Sequence, residues 1–287
     1  MDSSLYLRQW KTESLSTVPI PLRKFAVLRF TMYYFFVLGA KDPEMQEIAR
    51  VLDTQGVPYA YATLKGVPVR TSEAYCATGI KGLLPSDANI VFVECAVMGL
   101  QPDEICDHHN PGDPGFGKPP DKYFEGSSLG QVLKLLGLEA THEQRIIAAA
   151  DHCLRHAYAG QCPGIDPREL AEWRERSRAA LREITVEELR SRIDHAIEVL
   201  RHAPRIKIAN EEVAWFPPTD DRPEEIAEAS ARIGIPFFSI KKERERSKCR
   251  IMSAAPQTID VWMRECAANG LRDIYGDPAR GFAGGYL

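Results

Sequence analysis

Short apolar runs alternate with amphipathic stretches in the first half of the chain. Residues 33–38 and 89–95 are almost continuously apolar, and residues 59–64 form a similar run between them. Such runs are typical of strands that are buried on both faces of a parallel sheet. Residues 43–54 instead carry apolar side chains at helical spacing, which predicts a helix. Strands that alternate with helices predict a parallel α/β sheet. Further helices are predicted at 127–136 and 143–158.

The second half of the chain has a different pattern. Residues 167–202 are rich in Arg, Glu, Ala and Leu and predict one or two long helices that bridge two domains. Beyond this bridge the pattern predicts a smaller α/β domain, with strands at 205–215 and 236–240 and helices at 222–233 and 259–269. We therefore expect an N-terminal arm over 1–31, a first domain over 32–165, a helical linker over 166–203 and a C-terminal domain over 204–287.

Composition limits the possible functions. The net charge is −4, so no overall positive field draws the chain toward nucleic acid or an anionic membrane. No stretch of about 18 uncharged apolar residues predicts a transmembrane helix, and the first 27 residues lack the pattern of a secretory signal. The seven cysteines are scattered and form no CxxC pair, which favours a reducing compartment. We expect a cytoplasmic protein that holds any phosphate-bearing ligand through a local cluster or a metal.

The triplet Asp107-His108-His109 carries the sharpest chemical signal. Carboxylate and imidazole are the ligands that hold manganese, iron or zinc, and two such ions can bind a phosphoryl group and activate water. A motif this short has an alternative interpretation, in which its side chains bond only to the loop backbone.

Acidic residues follow successive strands of the predicted sheet. Asp42 and Glu44 follow the first strand, Glu94 ends the third, and Asp107 lies a short connection further on. Because ligands bind beyond the carboxyl ends of parallel strands, these groups are expected to converge at one edge. Gathering so many carboxylates is costly unless cations neutralise them, so the pattern predicts a metal site. Asp42 also has an alternative role, since Asp42-Pro43-Glu44 is a favourable helix opening.

Asp151 and His152 lie in a stretch of small and apolar residues that predicts a helix. The alanines before them indicate close packing, which favours a buried carboxylate with a partner. The alternative is an exposed polar pair on the surface of the helix. We interpret Asp151 as a further metal ligand.

The order of these motifs over roughly residues 33 to 160 resembles the DHH phosphoesterase superfamily. In that family a strand leads to a His-x-x-x-Asp-x-Asp motif, a later strand ends in an acid, and Asp-His-His is followed by a helix and a further Asp. Residues 125–132 also resemble the small-residue helix start that follows Asp-His-His in the nano-RNase branch. The resemblance implies one or two divalent ions, with manganese preferred. It implies metal ligation by Asp42, Glu44, Glu94, Asp107, His108, His109 and Asp151, with Asp107, His108 and His109 at the catalytic centre.

The same resemblance implies that the smaller domain supplies a glycine-rich substrate clamp. Gly281, Gly284 and Gly285 would let backbone amides approach a phosphate, and Arg280 would add charge. The alternative is a flexible tail. Upstream, Lys242, Arg244, Arg246, Lys248 and Arg250 alternate, so an extended segment would place them on one face. We interpret Lys248 and Arg250 as phosphate-binding residues, and the alternative is a solvated hairpin or a charged edge strand.

Three departures from the family pattern stand out. Leu38 occupies the place of the first-motif histidine, and leucine cannot bind a metal. Glu44 and Glu94 stand where aspartate is usual, and the longer carboxylates can still reach an ion. Tyr286 stands where the clamp has its histidine. One metal site is therefore weakened, remodelled around His152 or lost, and the substrate cannot be inherited by analogy.

These patterns predict a metal-dependent phosphoesterase that hydrolyses a small phosphate ester, a nucleotide or a short oligonucleotide through metal-activated water. The alternative, which the missing histidine favours, is a nucleotide-binding sensor with the same fold and impaired catalysis. A hydrolase of phosphate-free substrates with one metal is a third hypothesis. A homodimer is our hypothesis for the assembly.

Overall fold

The first strand has alternate side chains in two separate cores. Phe36 and Leu38 pack on one face of the sheet, while Phe35 and Val37 pack on the other. Helices cover the first face, and the segment that follows the second strand covers the other. This two-sided burial is what a continuous apolar run predicts for a parallel strand. The computed structural model describes residues 33–218, 223–243 and 246–287 apart from the Glu243 side chain, so the expected arm over 1–31 lies outside the described residues.

The first sheet has six strands, in the order β3-β2-β1-β5-β6 with β4 beside β2. The strands are β1 (Tyr34–Leu38), β2 (Tyr59–Leu64), β3 (Val67–Pro68), β4 (Gly79–Ile80), β5 (Asn89–Val93) and β6 (Glu104–Cys106). Pairings β1–β2, β1–β5 and β5–β6 are parallel, and the short strands β3 and β4 pair antiparallel with β2. Short 3-10 helices lie at Thr71–Cys76 and Pro120–Lys122.

Seven helices lie between β1 and the second sheet. They are α1 (Pro43–Gln55), α2 (Tyr123–Gly126), α3 (Ser128–Leu136), α4 (His142–His152), α5 (Leu154–Tyr158), α6 (Pro167–Arg182) and α7 (Val186–His202). The single helix expected over 143–158 is wrong, because the backbone leaves helical geometry at Cys153, with φ −150 and ψ 55. The Arg280 guanidinium bonds the freed carbonyl oxygens of Asp151 and His152, which compensates the break.

The second sheet also has six strands, in the order β11-β12-β10-β9-β8-β7. Its elements are β7 (Arg205–Ile208), β8 (Glu211–Phe216), α8 (Ile226–Ile233), β9 (Phe237–Glu243), β10 (Arg246–Met252), α9 (Pro256–Ala268), β11 (Arg272–Asp277) and β12 (Phe282–Tyr286). Only the β8–β9 pairing is parallel among the described strands of this sheet. The strand expected over 205–215 is a hairpin, which turns at Ala209 with a φ of 51.

The fold is therefore a mixed α/β architecture with two sheets, as the sequence predicts. Residues 33–287 belong to one compact unit. The boundaries that we assign to a catalytic domain, a linker and a C-terminal domain stay predictions.

Candidate functional site

The carboxyl ends of β1, β5 and β6 lie side by side at one edge of the first sheet. Leu38 pairs with Val93, and Val93 pairs with Cys106. The residues that follow these strand ends include Asp42, Glu44, Glu94 and the triplet Asp107-His108-His109. The strand register thus brings together segments that are far apart in the sequence.

Glu94 stands directly after β5 in an unusual backbone conformation. Its φ is 50, in the left-handed region that non-glycine residues rarely adopt. A Cβ atom on Gly39 would lie 2.3 Å from the carbonyl oxygen of Glu94, so Gly39 permits the two backbones to approach. Glu94 is 8% exposed, and its Oε1 accepts a hydrogen bond of 2.8 Å from Ser128 Oγ. Strain of this kind is typical of functional sites, where surrounding structure maintains it.

Glu44 reaches the same point from the first turn of α1. It is 2% exposed, and its Oε1 accepts a hydrogen bond of 3.0 Å from the backbone N–H of Leu129 at the start of α3. Its Oε2 is buried without a hydrogen-bond partner. Burial, with the negative charges of Asp151 and Glu94, raises the pKa of Glu44 well above its ordinary value. Burial likewise raises the pKa of Glu94 to about 8.

His108 is completely buried between these carboxylates and His152. Its Nε2 lies 3.0 Å from Asp151 Oδ2 and 3.4 Å from Glu94 Oε1, and its Nδ1 lies 3.1 Å from His152 Nδ1. His152 Nε2 lies 3.0 Å from the carbonyl oxygen of Lys118. Burial and the charge of Arg280 lower the pKa of His108 to about 3 and that of His152 to about 4, so both rings are neutral near pH 7.

A proton count shows what His108 presents to the carboxylates. Three contacts link the Lys118 carbonyl oxygen to His152, His152 to His108, and His108 to Asp151. Two neutral imidazoles supply only two N–H groups, so one of the three contacts has no proton. A carbonyl oxygen can only accept, so His152 Nε2 donates to Lys118, and His108 Nδ1 then donates to His152 Nδ1. This leaves a lone pair on His108 Nε2, and neither that atom nor Asp151 Oδ2 has a hydrogen-bond partner. A lone pair that faces buried carboxylate oxygens fits a cation between them.

Two overlapping sets of side chains bring their ligand atoms within 4.8 Å of one another. The first is Glu94, His108 and His109, and the second is Glu44, Glu94, His108 and Asp151. Carboxylate and imidazole donors of this kind suit manganese, iron or zinc. The unpartnered atoms Glu44 Oε2, His108 Nε2 and Asp151 Oδ2 all belong to the second set, so these residues fit a divalent ion.

Asp107 makes several hydrogen bonds within the site, and its role as a metal ligand stays a prediction. Its carboxylate accepts hydrogen bonds from the Tyr75 hydroxyl at 2.9 Å, the backbone N–H of His108 at 2.6 Å and His109 Nδ1 at 3.0 Å. Burial opposes its charge, but these bonds from His109 and Tyr75 lower its pKa. Asp107 belongs to neither set of converging ligand atoms among the described residues. Here it orients the loop that carries the two histidines.

Asp42 also lies outside the two sets in the described residues. Its Oδ1 accepts a hydrogen bond of 2.7 Å from the backbone N–H of Met45, so it is the N-cap of α1. Burial and the charge of Asp151 raise its pKa to about 7, which places it within the electrostatic field of the cluster. The capping interpretation therefore has direct support, and the ligand interpretation stays a prediction.

His109 is the more accessible histidine of the triplet. Its side chain is 34% exposed, while that of His108 is fully buried. Burial alone would lower its pKa, but the hydrogen bond to Asp107 and the charge of Glu94 raise it to about 9. Because Nδ1 bonds Asp107, Nε2 is the nitrogen that can face a ligand.

The residues expected to bind substrate have structural contacts of their own. Arg280 donates to the carbonyl oxygens of His152 at 2.6 Å, Asp151 at 3.0 Å and His108 at 3.3 Å. It therefore contacts the segments that carry the candidate metal ligands through their backbone, and the predicted grip on phosphate stays a prediction. The side chains of Lys248 and Arg250 lie on β10 near the rings of Tyr286 and Phe237, respectively. Arg244 lies outside the described residues.

The C-terminal glycines are explained by close packing within the second sheet. A Cβ atom at Gly284 would lie 2.4 Å from the Tyr275 hydroxyl, and one at Gly285 would lie 2.6 Å from a methyl carbon of Leu271. Gly281 has a φ of 76 and lies close to the backbone of Ala254. The segment is a hairpin strand, so the alternative of a flexible tail is wrong.

Several residues of the site escaped the sequence analysis. Tyr75 bonds Asp107 from the 3-10 helix Thr71–Cys76, and no local motif marks it. Gln131 bonds the backbone N–H and carbonyl oxygen of Asp107, and Ser128 bonds Glu94. Both polar residues lie within the segment 125–132, whose resemblance to the helix start after Asp-His-His was the available signal.

Comparison with known proteins leaves the family undecided. No family model matches the chain, and no curated protein matches it. Among solved structures it shows a likeness to the pGpG-specific phosphodiesterase PggH from Vibrio cholerae, with 10% identity and a TM-score of 0.37. That match covers 90% of this chain and 93% of the other. A likeness at this level carries no argument about the chemistry of the site. None of the helices among the described residues is long and apolar enough to cross a membrane.

Proposed function

We propose that the protein is a metal-dependent phosphoesterase of the DHH type, which hydrolyses a small phosphate ester, a nucleotide or a short oligonucleotide. The observation that carries the proposal is the convergence of Glu44, Glu94, His108 and Asp151, three of which have a buried ligand atom without a hydrogen-bond partner. Divalent ions, with manganese the predicted species, would supply positive charge to the phosphoryl oxygens and lower the pKa of a water molecule. Cytoplasmic location and a homodimer stay predictions.

The side chains divide into ligands and positioning groups. Glu94 and His108 belong to both ligand sets, so they are the residues on which either ion would depend. His152 fixes the proton position on His108, and Asp107 with Tyr75 fixes the orientation of His109. His108 is too enclosed to exchange protons with a substrate. His109 is partly exposed and therefore suits either ligation or proton transfer to the leaving oxygen through Nε2.

A nucleotide sensor with the same fold is the second candidate. Leu38 occupies the place of the first-motif histidine, and its side chain is fully buried in the core. A side chain that packs there supplies no metal ligand, which favours a site with reduced catalytic capacity. The sensor would bind a nucleotide tightly without turnover.

Metal content and hydrolysis together test the proposal. We expect purified wild-type protein to carry one or two manganese ions per chain by mass spectrometry and to hydrolyse bis(p-nitrophenyl) phosphate. His108→Ala is expected to lose bound metal and at least about 100-fold in activity, because the shared ligand is removed. The control is His142→Ala, which removes an exposed imidazole that pairs with Glu169. Full activity in His108→Ala would reject the site, and tight nucleotide binding without turnover under any divalent ion would favour the sensor.

A further inference from the structure

The connection between β5 and β6 contains no helix. It runs over residues 94–103, whereas a crossover between parallel strands usually takes about a dozen residues or more, with a helix among them. The connection lies on the face of the first sheet opposite α1, where Val97 and Leu100 share a core with Phe92 of β5. Ile105 of β6 pairs with Phe92, so its side chain lies on the same face. Ile105 is 42% exposed, because the short connection does not extend over this edge strand.

A groove lies over the uncovered strand, and we call it the β6 groove. It has a volume of about 600 Å³ and is lined by residues 75–77, 92, 95–102, 105, 107, 110 and 113. This size is within the range of pockets that hold small organic ligands. Met98, which is 78% exposed, and Ile105 both line it. Large apolar side chains that are exposed together in a groove are typical of a binding surface.

The β6 groove is continuous with the candidate metal site. Asp107 and Tyr75 belong to its wall, and the Tyr75 hydroxyl donates to Asp107 at 2.9 Å. The Tyr75 ring centroid lies 6.2 Å from that of His109, which belongs to one of the two ligand sets. A ligand whose phosphate meets an ion at that site can therefore extend into the groove within the length of one nucleoside.

The charge of the β6 groove determines which part of a ligand it suits. No lysine or arginine lines it in the described part of the chain, and its carboxylates are those of Asp107 and Asp113. This local charge disfavours a phosphate. The ring of Tyr75 and the thioether of Met98 instead offer surfaces against which a flat uncharged ring can pack. The amides of Gln101 and Asn110 also line the groove and can pair with polar edges of such a ring.

We propose that the β6 groove binds the nucleobase of a nucleotide substrate, an assignment that rests on the proposed function. The base packs against Tyr75, Met98 and Ile105, while its phosphate lies at the candidate metal site. Every base has a flat face, so stacking of this kind accepts several bases. A groove without basic residues does not hold further phosphates, so it takes one nucleoside and not a continuing strand.

Fluorescence titration of metal-free protein with 2-aminopurine riboside tests this binding without turnover. The probe carries a base and no phosphate, so a metal site is not needed to hold it. We expect saturable quenching with a Kd on the order of 1 mM or below. The double variant Met98→Ser, Ile105→Ser should weaken binding by about fivefold or more, because the stacking surface is lost.

The matched control is the double variant Val67→Ser, Leu83→Ser. It also changes one residue of an edge strand and one of a loop, both exposed and both outside the groove. It should bind the probe as wild type does. Thermal unfolding checks both double variants, whose melting temperatures should stay within a few degrees of wild type because these side chains are exposed.

Three results of the titration would overturn the β6 groove as a base site. They are the absence of saturable binding in wild type, an unchanged affinity in Met98→Ser, Ile105→Ser, and an equal loss in the control. Light scattering over a range of protein concentrations tests a different occupant, which is a second copy of the chain. Self-association that wild type shows and Met98→Ser, Ile105→Ser lacks would assign the groove to a protein interface and also overturn the proposal.

Metal-loaded protein shows whether the groove acts on the substrate. The p-nitrophenyl ester of thymidine 5′-phosphate is compared with methyl p-nitrophenyl phosphate, which has the same leaving group and no base. We expect Met98→Ser, Ile105→Ser to raise KM about fivefold or more for the thymidine ester alone, with kcat unchanged. Equal changes for both esters would reject base recognition by the groove. Turnover of neither ester, with probe binding intact, would reject the proposed function and leave the nucleoside site in place.

Discussion

Buried carboxylates occur in two regions of the molecule with opposite surroundings. Glu228 on α8 is fully buried and accepts hydrogen bonds from Arg174, Arg232 and the Tyr158 hydroxyl. Burial would raise its pKa, but the charge of Arg174 and the Tyr158 bond hold it at about 2. Glu94 is also buried, yet its neighbours are mostly acids, with the neutral His108 and the partly exposed His109, and its pKa rises to about 8.

The difference separates a structural ion pair from a binding site. Where the chain supplies its own cations, as around Glu228, the carboxylate joins α5, α6 and α8. Where it gathers acids and leaves Glu44 Oε2 and Asp151 Oδ2 without partners, a bound ion would supply the compensating charge that the chain does not. The same residue type therefore has opposite consequences for stability and activity in the two regions.

The largest expected effect comes from Glu94→Gln. This change removes a charge that belongs to both ligand sets, so activity with manganese should fall on the order of 1000-fold and metal should be lost. The metal-free variant should be at least as stable as wild type, since the amide of Gln carries no charge at any pH and its oxygen can still accept the bond from Ser128. Hydrolysis assays, metal analysis and thermal unfolding measure these outcomes. Glu104→Gln, at an exposed position of β6, is the control; if Glu94→Gln stays active, the comparison fails.

Glu228→Gln is expected to act on stability instead. It removes the buried charge that pairs with Arg174 and Arg232, while Arg232 keeps its pair with Glu175. The free energy of unfolding should therefore fall by about 3 kcal/mol in urea titration. The metal content should remain that of wild type. Glu224→Gln is the matched control, because Glu224 has a 64% exposed side chain and its pairs with Arg182 and Arg192 contribute little. A loss in Glu228→Gln no larger than in that control would show that the pair is not structural.

His152→Phe should lower metal affinity while it keeps an aromatic ring at this position. Phenylalanine offers no acceptor to His108 Nδ1, so the proton on His108 is no longer confined to that nitrogen. Changes to a group that orients a metal ligand typically cost about 10- to 100-fold in affinity. Manganese titration of the metal-free variant measures the change, and circular dichroism checks the fold. An affinity equal to that of wild type would contradict the proton arrangement that we infer.

Lowering the pH should also distinguish the two regions, and we expect this effect to be the smallest. The pKa of Glu228 is about 2 in the folded protein and has an ordinary value of 4.5. Its contribution to stability is therefore complete above pH 4.5 and is lost as the pH falls toward 2. We expect wild-type unfolding free energy to decline more steeply between about pH 5 and pH 3 than that of Glu228→Gln, measured by urea titration at each pH. Parallel curves would assign the acid sensitivity to other groups.

Much of the fold can be predicted from the local sequence pattern, because a strand that is buried on both faces has a continuous run of apolar residues. The sequence also predicts that Glu44, Glu94 and His108 lie close together, since the carboxyl ends of parallel strands lie at one edge of the sheet. Tyr75 and His152 contribute through tertiary contacts that no local spacing encodes. The break in the helix at Cys153 was missed for the same reason. The carbonyl oxygens of Asp151 and His152 accept hydrogen bonds from Arg280, which is more than a hundred residues away in the chain.

The contacts of Arg280 also bear on the order of folding. Its bonds to His152 and His108 close chain separations of 128 and 172 residues, which makes the candidate metal site dependent on a distant hairpin. Contacts of such high sequence separation are entropically slow to form. We therefore expect the first sheet to collapse early and its ion-binding edge to acquire protection from hydrogen exchange only after β12 has docked. The capture of an ion would then mark the last stage of folding.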